Sequence, residues 1–364
     1  MKEQRIIALL GRRDEPTDGV EEYCRFLGEA LRPHGFALTI HRVPWAEKGW
    51  RSACRELRAA SRDWRDSWVL LQYTALAWSS RGFPSAVERV FRIVRTSGAR
   101  TAVVFHDAGG YPGTRIVDAL RRWAQLRVMR NLFEMTDRVI LTLPAEKILW
   151  LPRERRKASF IPVGANLPAA PRNSNQPAGS NQPLTVAVFT ITGGPHLLRE
   201  AEDIAFTVNR AASRVGKLRL LVCGRNAIEA KEPLAQRLDA SRVTLETHGV
   251  LPPEEIAKVL ANSDVLLFIR GQITSRRGSA LAGLACGLPI VAYRGPETAP
   301  PVTDAGVVLV EEGDREGLAA GLERVLADSD LRQTLGERSR SAFQKHFSWP
   351  AIAARYAEVL RPDS

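Results

Sequence analysis

Short, unbroken apolar runs alternate along the chain with longer stretches that are apolar on one face only. In the first half the runs fall at residues 5–10, 36–43, 67–73, 100–105, 137–143 and 158–163. Each has the length of a strand, and continuous apolarity is what a strand buried on both faces requires. Between them, 20–33 sets Val20, Tyr23, Cys24, Leu27, Ala30 and Leu31 on one helical face, and 45–64, 85–94 and 117–135 read as further helices. Residues 169–183 are a run of Pro, Asn, Ser, Gln and Gly, unable to support a core, and read as a linker. The alternation then restarts, with strands at 184–191, 218–223, 243–247, 264–269 and 306–310. Helices follow at 200–215, 252–261, 315–327 and 329–345, and the tail 349–360 has Ile352, Tyr356 and Leu360 at helical spacing. Strand and helix in alternation predict an α/β chain of two doubly wound Rossmann-like domains, 1–168 and 184–345, followed by a C-terminal helical segment, 346–364.

The most informative stretch is 271–293, which reads as basic loop, short helix, turn and buried strand. Ser279 is the expected N-cap, Gly287 suits the left-handed position that ends a helix, and Pro289 prevents continuation. In parallel sheets ligands sit beyond the carboxyl ends of the strands, where helices begin and unpaired N–H groups favour an anion. Arg276 and Arg277 stand at such a helix start beside Gly278, an arrangement suited to a pyrophosphate; the alternative is that these arginines lie on a solvated surface. His106 and Asp107 end a strand before a glycine-rich loop, the other place where ligands bind in this class. Their plainer reading is that Asp107 caps the turn and His106 fills a core edge.

Composition narrows the setting. No apolar run reaches bilayer-spanning length and the first residues enter a strand, which predicts a cytoplasmic protein. Cys24, Cys54, Cys223 and Cys286 are scattered, as are the six histidines, so buried free thiols and no metal site are expected. Of the net charge of +12, residues 1–168 hold nearly all: 29 Lys and Arg against 18 Asp and Glu leaves +11. No nucleic-acid signature accompanies that charge, so an anionic membrane surface is the better match.

Taken together, the chain resembles the GT-B glycosyltransferases, specifically the retaining group-1 (family 4) branch. The resemblance rests on Gly19-Val20-Glu21, His106-Asp107, Ile161-Pro162-Val163-Gly164-Ala165-Asn166, Gly249, Ser263-Asp264-Val265, Leu284-Ala285-Cys286-Gly287-Leu288-Pro289-Ile290-Val291, and Phe347-Ser348-Trp349 with Tyr356. It implies a nucleotide-sugar donor in the second domain, a glycan or lipid-linked acceptor in the first, a C-terminal helix crossing back, and transfer with retention, without metal or other cofactor. His106 and Asp107 become the catalytic candidates. Donor candidates are Gly19, Gly193, Gly194, Arg199, Gly224, Arg225, Gly249, Thr274, Ser275, Arg276, Arg277, Gly278 and Ser279. Two departures stand out: where the family has glutamates for the sugar and ribose hydroxyls, this chain has Thr274 and Ala282. The family's Arg and Lys after the second domain's first strand are also missing, which puts phosphate neutralisation on Arg276 and Arg277, with Arg199. An active transferase, a non-catalytic nucleotide- or glycan-binding member of the fold or partner subunit, and a nucleotide-sugar epimerase are the readings left open.

Overall fold

The computed structural model describes residues 3–14, 18–168 and 183–361. The expected linker lies outside the described residues, but for Pro183. Two compact units form, one comprising the chain up to Val163 together with the segment from Trp349 onward, the other Gly164–Ser348.

The first unit alternates β1 (Gln4–Leu10), α1 (Gly19–Leu31), β2 (Phe36–Arg42), α2 (Trp45–Ala60), β3 (Trp68–Tyr73), α3 (Ala86–Thr96), β4 (Arg100–Phe105), α4 (Ile116–Met135), β5 (Arg138–Leu141) and β6 (Ala158–Phe160). Its strands form one parallel sheet in the order β2-β1-β3-β4-β5-β6. The two-residue period of a strand sorts its side chains into two cores. Ile7, Leu9, Val69, Leu71, Val103 and Phe105 face α2, α3 and α4, whereas Ile6, Ala8, Leu10, Leu70 and Val104 face α1.

The second unit repeats the plan with β7 (Leu184–Phe189), α5 (Leu197–Val215), β8 (Leu218–Cys223), α6 (Ala227–Ala235), β9 (Val243–His248), α7 (Pro253–Ala261), β10 (Val265–Phe268), α8 (Gly278–Ala285), β11 (Ile290–Arg294), β12 (Val307–Glu311), α9 (Arg315–Ala327) and α10 (Ser329–Ala342). The parallel sheet runs β12-β11-β10-β7-β8-β9, so strand order reverses between β7 and β10. Helix α8 begins two residues earlier than expected. Arg277 occupies the N-cap with no side-chain cap, and Ser279 lies inside the first turn rather than capping it. Gly287 follows α8 at φ +69°, as the turn requires, and an added Cβ would stand 2.7 Å from Arg340 Cγ.

Helix α11 (Trp349–Leu360) belongs to the first unit. Ile352, Ala353, Tyr356, Ala357 and Leu360 are buried against the core shared with α1. Trp68 Nε1 donates to Leu360 O at 2.8 Å, and the Tyr23 and Tyr356 hydroxyls meet at 2.8 Å. All four cysteines are buried thiols outside any disulfide.

Candidate functional site

Parallel strands put every carboxyl end on one edge of a sheet, and the switch point between β7 and β10 parts the two loops there. A ligand-binding crevice is expected at that reversal. The loop leaving β7 begins at Thr190, held at φ +71°, a conformation costly for a β-branched side chain. It continues through Gly193 and Gly194 (φ +65°) into α5, whose N-terminus carries no side-chain cap. The loop leaving β10 runs through Arg270 to Arg277. Arg270 Nε donates to Thr192 Oγ1 at 3.4 Å, tying the two loops across the reversal.

This edge concentrates charge. Arg277 is half-buried, and its guanidinium pKa is held down first by burial and then by Arg276 and Arg270, with Glu297 and Glu200 opposing. Burial likewise lowers that of Arg270, with Arg225 adding repulsion and Glu200 opposing. Glu200 accepts from Thr192 N at 2.8 Å. Arg276 forms a tight ion pair with Glu297, whose own N–H donates to Gln272 Oε1 at 2.7 Å. Four guanidiniums, of Arg225, Arg270, Arg276 and Arg277, thus face the two carboxylates of Glu200 and Glu297, and positive charge remains. Buried polar atoms are nearly always hydrogen-bonded. Here Arg277 Nε, Thr274 Oγ1 and the Tyr293 hydroxyl are buried without a partner, all from the loop after β10 or the end of β11.

The expected donor residues divide accordingly. Thr274 and Ser275 are buried beside Arg276 and Arg277, while Gly278 is exposed at the start of α8 with open space around it. Gly224 (φ +91°) sits at the end of β8, its N–H donating to Gly249 O at 3.1 Å, which brings two candidate glycines together. Arg225 follows, exposed, within electrostatic reach of Arg270. Arg199 is exposed on α5 and acts on Asp203, which Arg315 grips at 2.8 Å, and on the Tyr293 hydroxyl. Arg270, which was not among the expected donor residues, acts on Arg277. The signal for it lay in plain view, since Arg270 follows an apolar strand directly, as His106 does. Thr274 and Ala282, neither of which carries a carboxylate, are both buried, Ala282 within α8.

In the first unit, His106 and Asp107 directly follow β4. His106 Nε2 lies 2.7 Å from Gln72 Oε1, and Gln72 Nε2 donates to Leu70 O at 3.3 Å. That orientation makes Gln72 Oε1 the acceptor, so the His106 proton sits on Nε2 and Nδ1 carries the lone pair. Tyr23 packs edge-on against the ring at 5.0 Å. Burial pushes the imidazole pKa down to about 4, with Asp18 opposing, so His106 is neutral at pH 7. Asp107 Oδ1 accepts from Gly109 N at 3.4 Å, the turn-capping contact, and its charge helps burial raise the pKa of Tyr73, whose buried hydroxyl has no partner.

Gly19 opens α1 with nothing within 4 Å of an added Cβ. Asp18 already occupies Val20 N and Glu21 N, both at 3.1 Å, and Arg42 bridges Asp18 and Glu21. A helix start filled by carboxylates repels a phosphate, in contrast to the start of α8, whose first turn holds no acidic residue. The glycine the loop after β1 demands is Gly11, where a Cβ would stand 2.2 Å from Ala77 O. Two surface cavities, about 320 and 250 Å³, lie away from these loops, around Arg58, Arg62 and Arg65 and between α1 and β2. Among the described residues, no group of three or more His, Cys, Asp or Glu is placed to hold a metal ion.

Residues 188–328 match the family model described as glycosyl transferases group 1. The match spans the second unit from the end of β7 through α9. Over 116 residues it is 31% identical to N-acetyl-alpha-D-glucosaminyl L-malate synthase of Bacillus anthracis, covering 30% of each chain. Over 82 residues it is 35% identical to the lipopolysaccharide core biosynthesis glycosyltransferase LpsE of Rhizobium meliloti (strain 1021), covering 22% of this chain and 24% of that one. These matches thus span under a third of either relative. Sucrose-phosphate synthase from Thermosynechococcus elongatus superposes with a TM-score of 0.68 at 20% identity over 98% of both chains. The fold is GT-B, two Rossmann-like units with a C-terminal helix.

Proposed function

We propose that the protein is a glycosyltransferase that moves a sugar from a nucleotide-sugar donor to a glycan or lipid-linked acceptor, with retention and without a metal, on the cytoplasmic side of a membrane. The observation that carries this reading is the arginine cluster at the reversal of the second sheet. Arg270 and Arg277 are partly desolvated, repel one another, and face uncapped helix starts, an arrangement a diphosphate relieves. In the reaction the acceptor oxygen bonds to the anomeric carbon as the bond from that carbon to the diphosphate breaks. The acceptor proton passes to the departing phosphate, and the arginines neutralise the charge that develops there. Gly193, Gly194, Gly224, Arg225, Gly249, Ser275, Gly278 and Ser279 frame the donor. In the first unit His106, neutral and with its Nε2 proton committed to Gln72, and Asp107 belong to the acceptor side.

Thr274 and Ala282 favour a second reading, a non-catalytic nucleotide- or glycan-binding member of the fold or a partner subunit, because two carboxylates that would grip donor hydroxyls are missing. A thermal-shift screen against UDP-, GDP-, ADP- and dTDP-sugars separates the cases, since a ligand bound only by the native state raises the midpoint. One nucleotide class should shift it, and Arg270→Gln and Arg277→Gln should each weaken that ligand about tenfold or more, the worth of a charge-assisted hydrogen bond. Binding without transfer or donor hydrolysis would select the non-catalytic reading, and no shift with any donor at millimolar concentration would overturn donor binding.

A further inference from the structure

Helix α4 has apolar residues on two faces. Val128, Met129, Leu132 and Phe133 cover the first unit's core from its C-terminal half. In its N-terminal half Ile116, Leu120 and Trp123 follow one another at spacings of four and three and so share a face. They are 86%, 55% and 61% exposed. Arg127 and Arg130 extend the same line, with the Arg127 guanidinium 5.7 Å from the Trp123 ring centre, and Arg115 and Arg122 are exposed beside it.

The segment is firmly held. Asp118 caps the helix through Arg115 N at 3.1 Å and pairs with Arg121 at 2.9 Å. Gln125 bonds Gly82 O at 3.0 Å and Tyr111 N at 2.8 Å. Asp118, the single acidic residue between 115 and 133, is buried in those contacts, so the outward face is apolar and cationic with no carboxylate on it.

We infer that this face of α4 docks on an anionic lipid surface, with Ile116, Leu120 and Trp123 entering the headgroup boundary and the arginines engaging lipid phosphates. Leu and Trp on one side of a helix, with arginines along it, is the composition of a helix that lies in the interface plane. Charge complementarity chooses this occupant. A second copy using the same face would set arginine against arginine, whereas a surface of anionic headgroups meets all of them, within a unit whose sequence through residue 168 carries +11. The inference deepens the proposed lipid-linked chemistry but is tested without donor or acceptor, so its failure leaves the transferase reading standing.

The experiment is flotation of the full chain with vesicles of phosphatidylcholine and phosphatidylglycerol in equal parts, and with phosphatidylcholine alone. The protein should float with the mixed vesicles and remain below with the neutral ones. Arg122→Gln/Arg127→Gln should lower partition about fivefold per arginine removed, and Leu120→Gln/Trp123→Gln at least about tenfold. Val250→Gln, at a 72% exposed position in the other unit, should float as wild type does. These positions are exposed, so the variants should fold normally, checked by their thermal midpoints. Wild type remaining below with mixed vesicles, or the Leu120/Trp123 variant floating undiminished, would overturn the docking. So would a wild-type dimer, seen by light scattering without lipid, that the Leu120/Trp123 variant abolishes while vesicle binding persists.

Discussion

His106 shows how a single residue ties fold stability to the candidate site. Burial lowers its pKa from an ordinary value near 6.5 to about 4. Between those values the unfolded chain binds a proton that the native state does not, so stability is full above pH 6.5 and drains away as pH falls toward 4. The loss attributable to this imidazole is at most about 3 kcal/mol. Urea midpoints measured from pH 7 to pH 4 should fall more steeply for wild type than for His106→Gln. The difference between the two isolates His106 from His41, whose pKa burial lowers as well. Equal slopes would mean that His106 titrates normally in the folded protein. Its position at a strand's end was legible in sequence because buried parallel strands read as continuous apolar runs. Its partners Gln72 and Tyr23 were not, since they lie far away in the chain and no local pattern pairs them.

At the scale of elements the same contrast recurs. The apolar runs identified every strand of both sheets, yet α6 was not anticipated, being nine residues long and interrupted by Pro233. The α8 boundary slipped because Ser279 has the composition of an N-cap, while the backbone starts the helix at Gly278. How α11 docks was also hidden. Its apolar spacing gave the helix, but the joined hydroxyls of Tyr23 and Tyr356 are 333 residues apart. Both tyrosines are buried, so Tyr356→Phe strands the Tyr23 hydroxyl and should cost about 1–3 kcal/mol. Tyr23→Phe/Tyr356→Phe removes both groups and should cost less than the two single changes summed, with a coupling of about 1 kcal/mol. Additive losses in urea denaturation would show that the bond contributes nothing beyond packing. Because Tyr23 also packs on His106, the single variant should shift the steep part of the pH profile too.

For the whole molecule, the consequence is that one unit is assembled from two distant stretches of chain. The sheet of the first unit is complete by Phe160, but the face of that sheet carrying Ile6, Ala8, Leu70 and Val104 shares its core with α11. Ile352, Tyr356 and Leu360 are each fully buried there, and burying a large apolar side chain contributes about 1.5–3 kcal/mol. Three of them amount to a large share of the roughly 5–15 kcal/mol that holds a domain together. A chain ending at Ser348 should therefore lose the cooperative unfolding of the first unit and keep that of the second. The tryptophans allow the two to be told apart, since all eight lie at positions belonging to the first unit, Trp45 through Trp150 and Trp349. Tryptophan fluorescence, followed against urea, should show a broad or early transition in the shortened chain. Amide exchange in β7 through β12 should retain full-length protection. A fluorescence midpoint unchanged by the deletion would mean that α1 and the sheet close this core unaided, and that α11 is held by the first unit without holding it.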